Sequence, residues 1–375
     1  MSRSASFALL AAATLSTGAA AQPQTKSVVD YARLADLAVN RTWKLAKGER
    51  VVFFWDKAFD RGMAAPLRAA VVKAGGIVDD IAAPTLESTK GLTPARRAKR
   101  DAEWAAIFAK VSAAIWLPSA LEAMADVPFE RLVQGSKVRS IHFHWFIPPD
   151  AGEVSEIEAI YAAAIAVPPA TILGRITAVE RAVRGATVRI TAPNGTDLTF
   201  DIPRDAWVHR NTGDASPAKV ASARSVRDRE EELPASVFRT TDVRNAHGTI
   251  IGSNSFDTRS PTLKVTFAGG KVTTFESVKN AEAVVARWKA ATGAKDRPGE
   301  FVVGTNPALP GILASGFMPY YGYGAGVVRL TIGDNWESSG TNRASTGEVL
   351  LFLANATVTA GGVTMVRDGR LVAGQ

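Results

Sequence analysis

The sequence contains no cysteine. No disulfide can staple it, no thiolate can ligate a metal, and lipid attachment through an N-terminal cysteine is excluded. Histidine is scarce as well, with four in 375 residues, so any metal must be held by those four together with Asp and Glu. No glycine-rich loop follows the first apolar strand. "FFWDKAFDRGM" at 53–63 shows neither the dinucleotide fingerprint nor the Walker pattern, so nucleotide binding is unsupported. No serine stands in a Gly-x-Ser-x-Gly elbow, and Ser253 and Ser255 of "GSNSF" read as loop residues, so a serine hydrolase is unsupported too. Dense Lys/Arg blocks are also missing despite a net charge of +8. "TPARRAKRDAEW" at 93–104 reads as the solvated start of a helix, and nucleic acid is not expected as a partner.

What is present is an ordinary globular composition, 46% hydrophobic and 21% charged, enough to bury a sizeable core in two domains or one large one. The first 21 residues pair Arg3 with an apolar run from Phe7 to Leu15 and then Ala19-Ala20-Ala21. That order predicts a secretory signal peptide cleaved after Ala21, and hence an exported, periplasmic or secreted protein. The apolar run is too short to span a bilayer, so no membrane span is expected after cleavage.

From 28 to 147 apolar segments alternate between helical spacing and short buried runs. A helix is predicted over 28–48, then strands in "ERVVFFWD", "IVDDIAA", "SAAIWLP" and "VRSIHFHWFI" separated by helices. This is βαβ order and predicts an N-terminal open α/β domain with a parallel sheet over 22–165. After the helical "VSEIEAIYAAAIAV" the texture changes to short strands and turns, including a hairpin about Asn194-Gly195. Residues 166–375 are therefore expected to form a β-rich α+β domain with antiparallel pairing.

Several segments of the second half, in order, resemble the aminopeptidase T family of metallopeptidases. They are "TVRITAPNGTDLTFDI", "LPASVF", "GTIIGSNSF", "GEFVVGTNPAL", "VRLTIGDN" and "SSGTNRASTGEVLLF" with the closing "ATVTAGGVTMVRDGRL". The resemblance spans roughly residues 171 to 372 and implies that family's fold, a homodimer, and two metal ions activating a water against a peptide carbonyl. Residue by residue the ligand set departs from the family. Its first glutamate falls on Ser236, its first histidine on Arg329, its tyrosine on Trp336, and its final histidine and aspartate on Gly347 and Val349. Glu300 is the only retained ligand. Arg329 would put a fixed positive charge where a cation should sit, so no metal is expected. A divalent zinc, cobalt or manganese ion is implied only if the family activity persists.

The remaining candidates follow from that loss. Glu300 is the candidate catalytic residue, as a general base, or else the partner of Arg329 in place of the metals. Arg329, Trp336, Tyr320, Tyr321, Tyr323 and Asn342 are candidate contacts for a peptide-like or small organic ligand; the tyrosines of "FMPYYGYGAG" read as an aromatic platform or, somewhat more readily, as a packed inter-domain or dimer contact. Asn306 and Asn342 read as turn formers more readily than as ligand contacts. His142 and His144, two apart on one strand, read as a half-exposed face more readily than as ligands, and "RDREEE" at 227–232 reads as a solvated charge run. The expectation is an exported aminopeptidase T-like protein with an eroded metal site that binds a ligand; the alternative is an active hydrolase with a rearranged metal site or Glu300-based chemistry.

Overall fold

The computed structural model describes residues 29–55, 62–82, 92–117, 129–143, 147, 151–258 and 261–374. The expected signal peptide and His144 lie outside them.

The first half builds strands β1 (Arg50–Trp55), β2 (Ile77–Ala82), β3 (Ala113–Leu117) and β4 (Arg139–Phe143). All pair in parallel, as βαβ order demands. On one face Val51, Phe53, Ile115, Ile141 and Phe143 pack on α1 (Tyr31–Asp36), α2 (Ala64–Lys73) and α5 (Val154–Ala166). On the other, Val52, Phe54 and Trp116 pack on α3 (Pro94–Phe108) and α4 (Phe129–Gln134). The helix predicted over 28–48 is shorter and changes character: α1 runs directly into a π-helix, Leu37–Trp43, which ends on left-handed Lys44.

Helix α5 stops at Pro168, and α6 (Pro169–Val183) leaves at 83° to it. Among the described residues no single helix is long and apolar enough to cross a membrane. The second half supplies β5 (Ala186–Ala192), β6 (Thr196–Ile202), β7 (His209–Arg210), β8 (Glu230–Leu233), β9 (Val237–Thr240) and β10 (Arg244–Ser253). It continues with β11 (Thr262–Ala268), β12 (Lys271–Lys279), β13 (Pro298–Gly304), β14 (Val328–Gly333) and β15 (Glu348–Leu353). The chain closes with β16 (Thr357–Ala360), β17 (Val363–Arg367) and β18 (Arg370–Leu371). Except for β8 these form one large sheet, antiparallel in every named pair. The Asn194-Gly195 hairpin forms as expected, with Gly195 at positive φ and the Asn194 side chain accepting the Thr196 N–H.

One strand crosses the expected division at 165. β8 adds to β4 as the fifth parallel strand, in the register Ser140 with Glu230 and His142 with Glu232. All four of its residues are buried. "RDREEE" is thus no solvated charge run: three consecutive glutamates lie inside the molecule, because this segment carries the chain from one sheet to the other. His142 is buried as well, correcting the half-exposed strand face.

Candidate functional site

Strand periodicity decides what meets between the two sheets. In β8, successive side chains point to opposite faces. Glu231 turns one way, accepting from the Gly213 N–H at 2.7 Å and pairing with Lys219. Glu230 and Glu232 turn the other way, toward arginines. In the antiparallel sheet, Val302 of β13 stands opposite Arg239 of β9 and Arg329 of β14. Arg239, Glu300, Val302 and Arg329 therefore share one face. In β15 Phe352, Leu350 and Glu348 share that face, Phe352 opposite Arg329 and Glu348 opposite Gly333, and Glu348 is the titratable one. Val349 points away into the apolar core with Ile332 and Leu351.

The result is a buried ionic cluster. Glu300 Oε2 takes Arg329 Nη2 at 3.1 Å and lies 3.4 Å from Arg239 Nε, while its Oε1 accepts the Ser338 hydroxyl. Arg239, fully shielded from solvent, reaches Glu232 at 3.5 Å and donates to the Tyr323 hydroxyl at 2.9 Å. Arg329 donates to the same hydroxyl at 3.2 Å, so one phenol oxygen bridges two guanidiniums. Arg227 joins Glu230 at 2.8 Å, Glu232 at 3.6 Å and Glu337 at 2.5 Å. His142 Nε2 lies 3.2 Å from Glu230 Oε2.

Three guanidiniums face five carboxyls: Glu230, Glu232, Glu300, Glu337 and Glu348. Charge balance sorts the protons. Burial tends to raise Glu300, but Arg239, Arg329 and Arg227 outweigh it and hold its pKa below the ordinary value. Burial, with Glu232 adding and Arg227 opposing, pushes Glu230 up to about 7. Burial together with the charge on Glu300 pushes Glu348, whose Oε1 is shut off from solvent, up to about 8. Glu337 is raised for the same reasons. Burial drives His142 down to about 3, so it is neutral. Surplus carboxyls held as neutral acids let the cluster remain close to neutral, as a low-dielectric site requires.

The sequence-predicted residues are distributed as follows. Glu300, Arg329 and Tyr323 meet in the cluster. Tyr320 sits one turn away, buried, packed edge-on against Tyr161 of α5, and its backbone N–H donates to the Tyr161 hydroxyl at 3.0 Å. That contact ties the two halves together and corrects the aromatic platform for this side chain. The backbone of Tyr321 lies in the Pro319–Gly322 turn; its side chain is outside the described set. Asn342 donates to Pro298 O at 2.8 Å and acts as a turn former. Asn306, completely buried, donates to Ala164 O and Ala235 O and caps Ala308, clamping α5 to the β-rich half. Trp336 leaves the cluster altogether and stands in the wall of an open cleft of about 870 Å³.

Sequence reasoning missed Arg239, Arg227, Glu232 and Glu348. An arginine inside the apolar strand "VFRT" and acids two apart in "EEE" were the available signals. The misplacement at the closing strand has a geometric cause. Gly347 and Val349 are out of phase with the cluster face, Gly347 being a left-handed turn residue and Val349 a core residue. The acidic residue of this strand on the cluster's face is Glu348.

The turns around the cluster have structural work of their own. Gly304 runs against Gly324, where a Cβ would lie 2.0 Å from its carbonyl oxygen, and Gly340 lies against the Asn335 side chain at a similar 2.0 Å. Asn335 in turn donates to Gly299 O and accepts from Asn342 N. "GEFVVGTNP" and "GDNWESSGTN" thus contribute close backbone packing and hydrogen bonds to the fold itself.

These donors fit a metal pair poorly. The lone pairs of Glu300 are directed at two arginines and a serine, and two guanidiniums occupy the face. Among the described residues no group of His, Asp and Glu converges as a metal requires.

Comparison with solved structures shows where the fold is used. The chain is similar to 2,5-dihydroxypyridine dioxygenase from Pseudomonas putida KT2440, with TM-score 0.62 and 12% identity over 92% of this chain and 97% of that one. It is similar also to wild-type AmpT from Thermus thermophilus, with TM-score 0.59 and 15% identity over 92% and 99%. At these identities the likeness is one of fold: a mixed α/β architecture of the aminopeptidase T kind. No protein-family model and no curated protein matches the chain.

Proposed function

We propose that this chain is an exported protein of aminopeptidase T-like fold that binds a small organic or peptide-like ligand without a metal pair. The observation that carries the reading is Glu300, with one carboxylate oxygen on Arg329 and Arg239 and the other on Ser338. A metal-ligating carboxylate needs its lone pairs directed at the ion; these are directed at protein donors. The same contacts weaken the alternative of Glu300 as general base, because two arginines lower its basicity and surround it. Fixed guanidiniums in place of dications keep the two sheets joined electrostatically, a role open to a binding protein.

Metal analysis of the purified mature protein tests this. The expected result is no stoichiometric zinc, cobalt, manganese or iron, and a thermal midpoint indifferent to chelator. Near-stoichiometric metal with aminopeptidase turnover abolished by chelator would overturn it.

A further inference from the structure

The cleft beside Trp336 has the opposite electrostatics from the cluster. Because β1, β3, β4 and β8 run parallel, their N-terminal ends align along one edge, and Glu49, Ser112, Lys137 and Arg229 at those ends line the opening. Among the cations there, Arg139 is satisfied by Glu49 at 2.5 Å. Lys137, Arg224 and Arg229 have no carboxylate partner among the described residues. Arg229 is the telling one: half-buried, it donates among the described residues to the backbone carbonyls of Ser136 and Gln134 alone. Burial without a counter-charge draws its pKa below the ordinary value. A desolvated guanidinium facing a cleft, flanked by two exposed cations, is stabilised by an incoming anion.

The rest of the wall mixes small polar residues, Ser112, Gln134, Ser225 and Ser339, with an apolar and aromatic part. Val111, Val226 and Trp336 line the cleft, and the Trp336 indole lies 5.7 Å under the Arg131 guanidinium. Trp336 also begins the turn Trp336–Ser338 whose next two residues enter the cluster, Glu337 on Arg227 and Ser338 on Glu300. The same turn therefore supports both sites.

We infer that this cleft is the ligand site, and that it takes a small organic anion, a carboxylate on an apolar or aromatic body, between Lys137, Arg224 and Arg229 and the Trp336 ring. This rests on the ligand-binding reading above and names its site and ligand class. Shape and charge act together: the cations orient the carboxylate, and the indole and valines cover the body.

Calorimetric titration of the full mature chain with 4-phenylbutyrate, its neutral amide and inorganic phosphate tests the inference. The expected result is saturable one-to-one binding of phenylbutyrate, with the amide and phosphate each weaker by about tenfold or more, the worth of one charge-assisted hydrogen bond. The surface double variant K137Q/R224Q should weaken phenylbutyrate by about tenfold as well. R367Q/R370Q, a charge-matched change on a distant hairpin, should leave it unchanged. Equal binding of acid and amide, equal loss in both double variants, or no saturable binding in the millimolar range overturns the inference. Metal content on the same sample separates the two readings. A metal-loaded, peptidase-active protein that still binds phenylbutyrate through Lys137 and Arg224 sinks the reading of the cluster and supports this one. A metal-free protein with no saturable binding sinks this one alone.

Discussion

The ionic cluster and the cleft are built from the same residue types and solve opposite problems. In the cluster every guanidinium has a carboxylate within 4 Å, and the surplus acids hold protons. In the cleft a half-buried guanidinium and two exposed cations have none among the described residues. A closed site must neutralise itself; an open one can leave its charge for a partner. The difference is one of position in the fold rather than composition, since Trp336 and Ser338, two residues apart, serve one region each.

The comparison breaks most visibly at Arg239. Arg239→Met leaves Glu232 and Glu300 short of a counter-charge and should cost about 3–5 kcal/mol in urea unfolding. A loss under about 1 kcal/mol would mean that the cluster is not the joint between the sheets. Adding Glu232→Leu to that variant should recover part of the loss, because Arg227 keeps Glu230 and Glu337 while Glu300 keeps Arg329.

Next in size is the neutral clamp. Asn306→Ala strands Ala164 O and Ala235 O and should cost about 1–3 kcal/mol by the same measurement, with no dependence on salt. Salt-sensitive loss there would show that the two halves are held by charge alone.

The pH response is smaller and has a defined sign. His142 and His209, lowered by burial to about 3 and about 4, add stability as pH rises toward 6.5. Glu230 and Glu348, raised to about 7 and about 8, bind protons more tightly folded than unfolded, so their contribution is lost as pH rises from about 4.5 through those values. The two effects oppose each other between about 4.5 and 6.5; above that the glutamates dominate, with Lys219, lowered by burial to about 8, beginning to oppose them near that pH. The thermal midpoint should be nearly flat across the first range and fall by a few degrees between 6.5 and 8. Glu230→Gln should shallow that fall; an unchanged slope would remove Glu230 from the protonated set.

The smallest effect belongs to the cleft. K137Q and R224Q remove exposed, unpaired cations and should change stability by no more than about 0.5 kcal/mol, while changing anion affinity. A large destabilisation would make these residues structural and erase the contrast.

Much of the architecture was legible beforehand because it rests on local signals. Alternating apolar runs and helical spacing give the parallel half, and Asn194-Gly195 gives its hairpin. The departure at Arg329 and the retention of Glu300 also show in the chain, and the two do meet. Other features resist such reading. "EEE" looks solvated because nothing local says that residues 230–233 cross into the other sheet. The site-facing role of Glu348 depends on strand phase, which an alignment off by one residue inverts.

The sequence by itself determined the element types and the fold class, since these follow from residue identity and short-range periodicity. Only the tertiary structure decided which charges were buried together and which were left open. Desolvation and pairing depend on neighbours far apart in the chain, as when Glu232, Arg239, Glu300 and Arg329 converge from four strands.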